Sequence, residues 1–544
     1  MSRTRATLVV CGEVVLSAGP DGLETAEAIG IADGRVVSAG SRRDVTDAAV
    51  TGARVVDAGP MAVVPGLHDF HIHLAALARA GGGLTLDDAA DGAEVVRRLA
   101  TAAETLPAGA WLTGRGWSEA QLRAVPLDTL DASVGDRLAY LASHDGHSAW
   151  VSPAARRLAG LSAARADPAG GRIERGGDGE PSGVLRETAL DLVTALVPEA
   201  QGDLLRGPLD ETLRDLASLG VTGATEAGDY TDEGGVGPDA RLGDSYSSLT
   251  QLGGLIDGRL RLSLNIPVDA IGAAAERGLR TGGDLDGRRT MRFGWAKEYA
   301  DGALGSGTAA LFEPATCGAA DAGILRVSPD ELDSLFAASR QAGLGLAIHA
   351  IGDRAAATVL DAVSRAPARP AGVANDRMEH AQLLRREDLP RFAALGVTAS
   401  VQPIHAAADR DLVDACWRGR QDGAYAWRSL RQAGAHLAAG SDAPVESADP
   451  WRGIFAAVHR RLPSDARPDW RPAQALTFAE ALAAYTLGPA RAIGAEDEGH
   501  LRPGARADLA ILDVDLATLT AADERLDGVR STLTLVDGNE VPLA

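Results

Sequence analysis

The sequence predicts an α/β protein: a (β/α)8 TIM barrel accompanied by a small β-sandwich that both chain termini build. Three observations predict this fold. The chain has 544 residues, which suits a barrel of roughly 250 residues with additions. Its middle part alternates apolar strands with amphipathic helices, the pattern of a parallel sheet. Its two ends carry short strands separated by turn residues, the pattern of an antiparallel β domain.

Short strands with turn residues are predicted at both ends of the chain. In the first 60 residues they cover 7–17, 26–32, 35–39 and 53–57, and near the C-terminus they cover 507–514, 531–536 and 539–543. Neither end is long enough for a good β-core of its own. We therefore predict that residues 1–60 and 498–544 form one composite β-sandwich domain. Two unrelated tails are the alternative.

Residues 61–497 are predicted to form the barrel domain. The segment around His71 supplies one strand, and seven more are predicted at 221–225, 260–267, 291–300, 344–351, 377–380, 397–402 and 435–441. Several are entered through a glycine that fits the C-terminal cap of a preceding helix, as at Gly220 and Gly343. Eight strands are what a (β/α)8 barrel requires. Residues 75–207 do not fit this count, so we expect an inserted lid or substrate segment after the first strand.

Composition and charge exclude several classes of partner. The formal net charge of -22, from 75 acidic and 53 basic residues, would repel a nucleic-acid backbone. There is no run of about 18 uncharged apolar residues, so we expect no membrane span. The apolar segment after the basic start of the chain is broken by Glu13, unlike a cleaved leader. We expect a cytoplasmic protein that acts on a small molecule.

The three cysteines, Cys11, Cys317 and Cys416, lie far apart and form no Cys-x-x-Cys motif. This spacing indicates neither a disulfide framework nor a thiolate zinc cluster. A metal ion in this protein must therefore be held by histidine, carboxylate or a less usual ligand.

Two histidines one residue apart, His71 and His73, stand where an apolar run passes into a polar one. Because alternate side chains of a strand share a face, both imidazoles are predicted to point the same way. Two imidazoles aimed into one space make half of a metal site. The alternative is a pair of solvated or hydrogen-bonded histidines. His68 would face away from the pair, so we interpret it as structural.

Polar residues collect at the ends of five predicted strands. Barrel enzymes carry their reactive groups at this C-terminal rim, because the loops there converge over the barrel mouth. A lone histidine is more often a satisfied core residue, but five strand ends with the same feature predict a functional site. The segments are Lys297 to Asp301, His349 to Asp353, Met378 to His380, Gln402 to His405 and Gly440 to Pro444.

Ordered motifs along nearly the whole chain resemble those of the amidohydrolase superfamily, in particular its YtcJ-like (amidohydrolase 3) branch, which includes N-substituted formamide deformylases. The resemblance implies a metal-binding barrel beside a small β-sandwich, in agreement with the fold predicted above. The motifs are Pro65 to His73, Gly114 to Trp117, Asp145 to Trp150, Gly183 to Glu187, Lys297 to Gly302, His349 to Arg354, Glu379 to Gln382, Ser400 to Pro403, Ser441 to Val445 and Gly504 to Leu509.

The resemblance implies a zinc site at the barrel mouth. His71, His73, His349 and His380 would ligate the metal, while Asp442 would bind metal or water and carry the proton. Zinc accepts neutral imidazole and carboxylate oxygen, and it lowers the pKa of a bound water to about 7. Asp442 would take the proton of the attacking water and deliver it to the leaving amine. Asp442 and His349 are the predicted catalytic residues.

Lys297 is also implied as a metal ligand, although an ammonium group cannot bind a cation. In related amidohydrolases a lysine at this strand end can be carboxylated on its amine, and the carbamate bridges two metals. We predict a carboxylated Lys297 with two zinc ions. The alternative is an ordinary Lys297 that pairs with Glu298 or Asp301, or that binds a substrate carboxylate, in a site with one zinc ion.

Four further residues are predicted to bind substrate. His147 lies in the inserted segment, in a stretch that the resemblance makes a lid or substrate-contact loop. Asp301 and Asp353 follow the fourth and fifth predicted strands, where they shape loops, form a rim ion pair or contact substrate. His405 ends the seventh strand and can reach the pocket.

The resemblance implies a hydrolase of a carbon–nitrogen bond other than a peptide bond, in an amide, N-acyl or formamide compound. One alternative keeps the metal but hydrolyses an ester or lactone, or decarboxylates an acid. Another is a non-catalytic metal-binding protein. We expect a homodimer, because barrels of this size often associate.

Overall fold

A computed structural model provides the fold of the chain. Of the motif residues named above, Asp145 lies outside the described part, so its predicted place in a lid loop is not followed further. The structure describes residues 4–80, 84–86, 89–107, 109–118, 121, 125–144, 146–168, 170–197, 203–228, 252–318 and 321–544.

Eight parallel strands form the barrel and follow one another around it in sequence order. Each is hydrogen-bonded to the next in parallel register. The eighth returns to the first, where the backbone N–H of Asp442 donates to the carbonyl oxygen of His71 at 2.7 Å. The predicted TIM barrel is confirmed. Its strands are Leu67–Ile72, Val221–Glu226, Arg261–Pro267, Met291–Tyr299, Leu346–Ala350, Arg377–His380, Thr398–Val401 and His436–Ala439.

Helices connect and cover the barrel strands. Ser328 and Glu331 form a capping box at the start of one of them, and Gly343 ends it in the left-handed conformation that the sequence predicted. None of the described helices has the length and apolar character needed to cross a bilayer. The helices of this domain are Leu74–Ala80, Asp203–Ser218, Ile271–Glu276, Pro329–Ala342, Asp353–Arg365, Leu389–Leu395, Pro403–Ala408, Arg410–Cys416, Trp427–Gln432, Pro450–His459, Phe478–Ala484 and Leu487–Ile493, with 3-10 turns at Val268–Ala270, Gln421–Gly423 and Pro472–Gln474.

The inserted segment forms a six-stranded sheet with apolar clusters of its own. Trp117 and Trp150 are buried in one of these clusters, so the segment is a packed unit and not a long loop. In sheet order its strands are Gly171–Arg175, Pro181–Glu187, Ser148–Val151, Leu138–Ser143, Trp111–Trp117 and Leu84–Thr85, and its helices are Gly92–Thr105, Leu127–Val134, Pro153–Leu158 and Asp191–Thr194.

The two chain ends are hydrogen-bonded into one seven-stranded sheet. The C-terminal strand Leu509–Asp515 pairs with the N-terminal strand Arg54–Pro65, so the ends are not two unrelated tails. The exact domain boundaries stay a prediction. In sheet order the strands are Asn539–Val541, Ser531–Val536, Leu509–Asp515, Arg54–Pro65, Leu8–Gly19, Gly22–Ala32 and Arg35–Gly40, and the flanking helices are Arg42–Ala48 and Leu516–Ala521, with a 3-10 turn at Glu524–Leu526.

Buried ion pairs join the N-terminal end of the barrel to this terminal sheet. Arg261 begins the third barrel strand and donates from Nη2 to Asp508 Oδ1 at 3.0 Å, with Asp537 also in contact. Arg292, in the fourth strand, donates from Nη1 to Glu498 Oε2 at 2.9 Å. Both guanidinium groups are almost fully buried. We call these five residues the floor network.

The structure corrects one expectation about the cysteines. Cys317 and Cys416 form a disulfide, with their Cα atoms 4.6 Å apart, although they are separated by 99 positions in the sequence. Cys317 follows the fourth barrel strand and Cys416 ends the helix Arg410–Cys416 after the seventh. Their spacing in sequence hid the contact because loops from distant strands converge at a barrel mouth.

Candidate metal centre

Imidazoles and one carboxylate meet at the C-terminal ends of the barrel strands. Single ligand atoms of His71, His73 and Asp442 lie within 4.8 Å of one another, and the same holds for His380, His405 and Asp442. Asp442 is common to both groups. Among the described residues these are the two clusters that have the spacing of a metal site.

The orientation of His71 is fixed by Glu379. The Nδ1 atom of His71 lies 2.6 Å from Glu379 Oε2, and its Nε2 atom lies 3.2 Å from Asp442 Oδ1. Burial alone would raise the pKa of Glu379, but Arg377 and His71 hold it well below its ordinary value, so Glu379 is ionised. An ionised Glu379 accepts a hydrogen bond from the Nδ1–H group of His71, which leaves the lone pair on Nε2, the atom that faces Asp442.

His73 reaches the same oxygen from just beyond the first strand. The strand ends at Ile72, so the predicted alternation within one strand does not place His73. Its position comes from the backbone, where its N–H donates to the carbonyl oxygen of Ala443 at 2.8 Å. His73 Nε2 then lies 3.0 Å from Asp442 Oδ1. The predicted pairing of His71 and His73 is thus present, with a different local cause.

His349 and His380 are both buried, and their ring centroids are 4.4 Å apart. Burial, with His147 and Lys297 nearby, holds the pKa of His349 well below its ordinary value. Burial and His349 do the same for His380. Both imidazoles are therefore neutral, the form that ligates metals. His349 Nε2 donates to the carbonyl oxygen of Gly302 at 3.1 Å, so Nδ1 carries its free lone pair.

Asp442 follows the eighth strand in a left-handed backbone conformation, with φ 63°. Burial raises its pKa, but His71 and hydrogen bonds from His405 and His73 together hold it well below its ordinary value. A non-glycine residue with positive φ costs on the order of 1–3 kcal/mol and recurs at functional sites. The preceding Gly440 is required by contact, because a Cβ there would lie 2.3 Å from the backbone nitrogen of His71.

Lys297 lies beside the histidines, at the end of the fourth strand and 4% exposed. Its Nζ atom is 4.7 Å from the ring centroid of Tyr299. Its charge contributes to lowering the pKa of His349 and of His380, after the larger effects of burial and a neighbouring imidazole. The structure therefore places Lys297 close enough to His349 and His380 to affect their pKa values, and its role as a metal ligand stays a prediction.

His405, which was predicted to bind substrate, belongs to one of the two clusters of ligand atoms. It sits in the first turn of the helix Pro403–Ala408, and its Nε2 atom is 3.0 Å from Asp442 Oδ2. Burial lowers its pKa, but Asp442 and Glu446 raise it above its ordinary value overall. The sequence did not predict this pairing, because the helix that carries His405 begins immediately after the strand.

His147 comes from the inserted sheet and is held by a carboxylate that the sequence reasoning missed. Its Nδ1 atom lies 3.0 Å from Glu187 Oε2, and its ring centroid is 5.0 Å from that of His349. Glu187 is buried, and Thr308 and Arg326 also donate to it. Glu187 ends the Gly183 to Glu187 motif of the sequence, for which no role was predicted.

Asp301 and Asp353 have carboxylates that bond to backbone amides. Asp301 is fully buried and accepts N–H groups of Ile351, Gly352 and Ala310 at 2.8–2.9 Å. Burial raises the pKa of Asp301 to about 7. Asp353 accepts the N–H of Phe312 at 3.0 Å. Both contacts shape loops, and a direct role in substrate binding stays a prediction.

A cavity of about 400 Å³ opens beside the cluster, between the barrel and the inserted sheet. Such a volume accommodates a small molecule. His147 and His405, two of the predicted substrate contacts, lie on its wall, whereas Asp301 and Asp353 do not. The lining residues are Trp117, Ser118, Ser143, His144, His147, Ser148, Ala303, Leu304, Gly305, Ser306, His349, Ile351, His380, Gln382, His405, Asp409, Leu412, Asp442, Val445 and Glu446.

The donor set fits a divalent cation. His71 Nε2 and Asp442 Oδ1 are lone-pair donors only 3.2 Å apart, an arrangement that a cation or a proton between them stabilises. His380 Nδ1 is buried and has no hydrogen-bond partner among the described residues. The Glu379 carboxylate behind His71 is the outer partner that metal-binding histidines commonly have.

The chain belongs to the amidohydrolase family, whose model matches residues 54–542. It is similar to YtcJ of Bacillus subtilis (strain 168), with 30% identity over 86% of this chain and 87% of YtcJ. It is also similar to the N-substituted formamide deformylase of Arthrobacter pascens, with 27% identity over 94% of each chain. The predicted family is therefore confirmed, and with it a hydrolase that acts on carbon–nitrogen bonds.

Solved structures agree with this assignment. An uncharacterized metal-dependent hydrolase from Pyrococcus horikoshii OT3 superposes with a TM-score of 0.74 at 25% identity, over 95% of this chain and 99% of that one. A second uncharacterized metal-dependent hydrolase, from Pyrococcus furiosus, gives a TM-score of 0.70 at 27% identity, over 93% and 99%. The protein is therefore a metal-dependent hydrolase of the amidohydrolase family.

Proposed function

We propose that this protein is a zinc hydrolase that cleaves an amide, N-acyl or formamide bond in a small molecule. The observation that carries the proposal is Asp442, whose two oxygens face histidines on opposite sides: His71 and His73 at Oδ1 and His405 at Oδ2. A carboxylate in that position can both hold a water molecule and move its proton. The similarity to a formamide deformylase supports the choice of bond.

Zinc bound by these residues would polarise the scissile carbonyl and lower the pKa of a water from 15.7 to about 7. Asp442 accepts the proton of the attacking water and returns it to the nitrogen of the leaving amine. The hydrogen bond from His405 holds the second oxygen of Asp442, so the carboxylate keeps one orientation through both transfers. His349 is neutral, and its Nδ1 atom carries the free lone pair.

Lys297 supports a site for two metal ions. It is the only lysine in the chain, which otherwise uses arginine for all its long cationic side chains. Arginine is held permanently as a guanidinium, whereas a lysine amine can lose its proton when buried and react with carbon dioxide. A primary amine retained at this one buried position favours carboxylation over an ordinary ion pair. A carboxylated Lys297 would supply the carbamate oxygens that a site for two zinc ions needs.

The proposal extends to location and assembly. The net charge of -22 supports a small-molecule substrate over nucleic acid, and we also propose a cytoplasmic location and a homodimer. The Cys317–Cys416 disulfide favours an oxidising compartment instead. Thiol titration of protein isolated under alkylating conditions, together with light scattering, tests both points.

A panel of substrates tests the reaction. Zinc-loaded protein is assayed with N-formyl amines, N-acetyl amines, esters, lactones and carboxylic acids of matched size. We expect hydrolysis of the N-formyl or N-acetyl compounds, with release of the amine. Turnover of esters or lactones alone, or of acids alone with loss of carbon dioxide, would contradict the amide proposal. Zinc binding without turnover of any compound would favour a non-catalytic protein.

A further inference from the structure

The wall of the cavity beyond the metal-binding residues is acidic. Asp409 and Glu446 both lie on it, next to apolar groups such as Trp117 and Leu412. Among the described residues that line the cavity there is no arginine and no lysine. Apart from the histidines, the ionisable groups on the described wall are therefore carboxylates.

Glu446 is separated from the proton carrier Asp442 by the imidazole ring of His405. His405 spans the two carboxylates, with Nε2 3.0 Å from Asp442 Oδ2 and Nδ1 3.9 Å from Glu446 Oε1. From the inserted sheet, His144 Nε2 lies 3.3 Å from the same Oε1 atom. Both contacts are made by Oε1, and Glu446 also lines the cavity.

Asp409 places a second carboxylate on the same side of the cavity. Its backbone N–H donates to the carbonyl oxygen of His405 at 2.8 Å, which fixes it one helical turn from that histidine. The hydroxyl of Tyr425 donates to Asp409 Oδ2. Asp409 and Glu446 both line the cavity together with His405, so their carboxylates lie on one region of the wall.

Gln382 independently indicates that a hydrogen-bond donor binds in the cavity. It lines the cavity and is 4% exposed, yet its Oε1 atom has no hydrogen-bond partner among the described residues. A buried amide oxygen without a donor is unfavourable, and a bound ligand that donates a hydrogen bond to it would remove that cost. The amide oxygen and the two carboxylates are all hydrogen-bond acceptors.

We propose that the cavity selects substrates whose part remote from the scissile bond is an alkyl ammonium group. This inference rests on the proposed function, since it names the substrate class of the same site. An ammonium group has three donors and a positive charge, which match the acceptors Gln382, Asp409 and Glu446. A carboxylate at the same end of the substrate is repelled by Asp409 and Glu446 and finds no arginine on the described wall.

Three formamides of equal chain length test the proposal. They are N-formyl-1,4-diaminobutane, N-formyl-4-aminobutanol and N-formyl-4-aminobutanoate, which carry an ammonium, a hydroxyl and a carboxylate group at the remote end. We expect kcat/KM to fall in that order, with about a tenfold preference for the ammonium compound over the alcohol. Equal values, or a preference for the carboxylate compound, would overturn the proposal.

Variants locate the charge preference. Glu446→Gln keeps the size of the side chain and removes its charge, and we expect the ratio of ammonium to hydroxyl substrate to fall severalfold. Asp409→Asn should lower the same ratio. Asp411→Asn is the matched control, because Asp411 lies on the adjoining helix with its side chain 76% exposed and pairs with Arg467. A ratio unchanged in Glu446→Gln and in Asp409→Asn would contradict the proposal.

Binding separates this inference from the proposed reaction. The zinc-loaded Asp442→Asn variant is titrated with each formamide in a calorimeter, so affinity is measured without turnover. Tightest binding of the ammonium compound supports the inference even if wild-type protein hydrolyses none of the three, in which case the proposed reaction fails alone. Binding without charge preference, or no binding of any of the three compounds, defeats the inference whatever the reaction proves to be.

Discussion

The two ends of the barrel both bury many charged residues, but they balance charge differently. At the floor network each arginine meets a carboxylate across the contact with the terminal sheet, as Arg261 does with Asp508 and Arg292 does with Glu498. At the mouth, imidazoles crowd around Asp442, and the buried Nδ1 atom of His380 has no described partner. At the floor network the buried charges balance one another without a ligand. At the mouth a bound cation would balance the carboxylate and accept the lone pairs of the imidazoles.

Buried polar residues that serve stability can therefore be distinguished from those that serve function. Paired charges that fill each other's hydrogen-bonding needs hold two domains together. Atoms with lone pairs that face one another, without a proton or cation between them, indicate a site for binding a ligand. Substitutions at the floor should therefore change the free energy of unfolding, and substitutions at the mouth should change metal binding and turnover.

The largest effect is expected from Asp442→Asn at the mouth. The amide cannot accept and return a proton, so kcat should fall on the order of 10³-fold while the metal content stays near the wild-type value. Steady-state kinetics with elemental analysis of the same samples measures both. Asp411→Asn serves as the control, and turnover retained by Asp442→Asn would remove the assigned proton carrier.

Arg261→Met at the floor should cost about 3–5 kcal/mol of stability, because it leaves Asp508 buried without its partner. Denaturant unfolding measures this loss. The folded fraction of the variant should bind metal as the wild type does. A large loss of metal affinity at unchanged stability would show that the two ends are not separate in the way described.

Glu379→Gln should weaken metal binding about 10- to 100-fold, because His71 loses the carboxylate that orients its ring. Competition with a chelator measures the affinity. Glu498→Gln is the matched substitution at the floor, where it should lower stability and leave metal affinity alone. If both variants lost metal equally, the orienting role of Glu379 would be wrong.

For a change of one pH unit, the smallest effect is expected at His68, which lies near the floor arginines. Burial, with Arg292 and Arg377 nearby, lowers the pKa of His68 to about 3. Below the unfolded-state pKa of about 6.5 the unfolded chain binds a proton that the folded chain excludes, so stability falls as pH drops from 6.5 towards 3. His68→Gln should remove about 1.4 kcal/mol per pH unit of this dependence. If the free energy of unfolding changed with pH in the same way in wild type and in His68→Gln, the assignment of this pH dependence to His68 would be wrong.

The barrel and most of the mouth could be predicted from sequence because their signals are local. Lys297, His349 and His380 each lie within the last few residues of a predicted strand, and parallel strands bring their carboxyl ends to one rim. Asp442 follows the last strand in the same way. Strand boundaries shifted by one or two residues, since hydrogen bonding at strand ends depends on the neighbouring strands.

The remaining features depend on contacts between distant segments. Glu379 orients His71 across 308 positions of sequence, and Glu187 reaches His147 only because the inserted sheet pairs their strands. The Cys317–Cys416 disulfide has the same origin. His405 pairs with Asp442 because a helix begins directly after the seventh strand. No periodicity within a single segment encodes these relations.

The most direct test combines metal content with the chemistry of the single lysine. Wild-type protein and Lys297→Arg are purified with zinc and ¹³C-bicarbonate, then analysed for metal and by carbon NMR, where a side-chain carbamate can arise only at Lys297. We predict two zinc ions per chain and one enriched carbamate signal in the wild type, with both the signal and at least one zinc lost in the variant. A folded wild-type protein that binds no divalent metal would contradict the account.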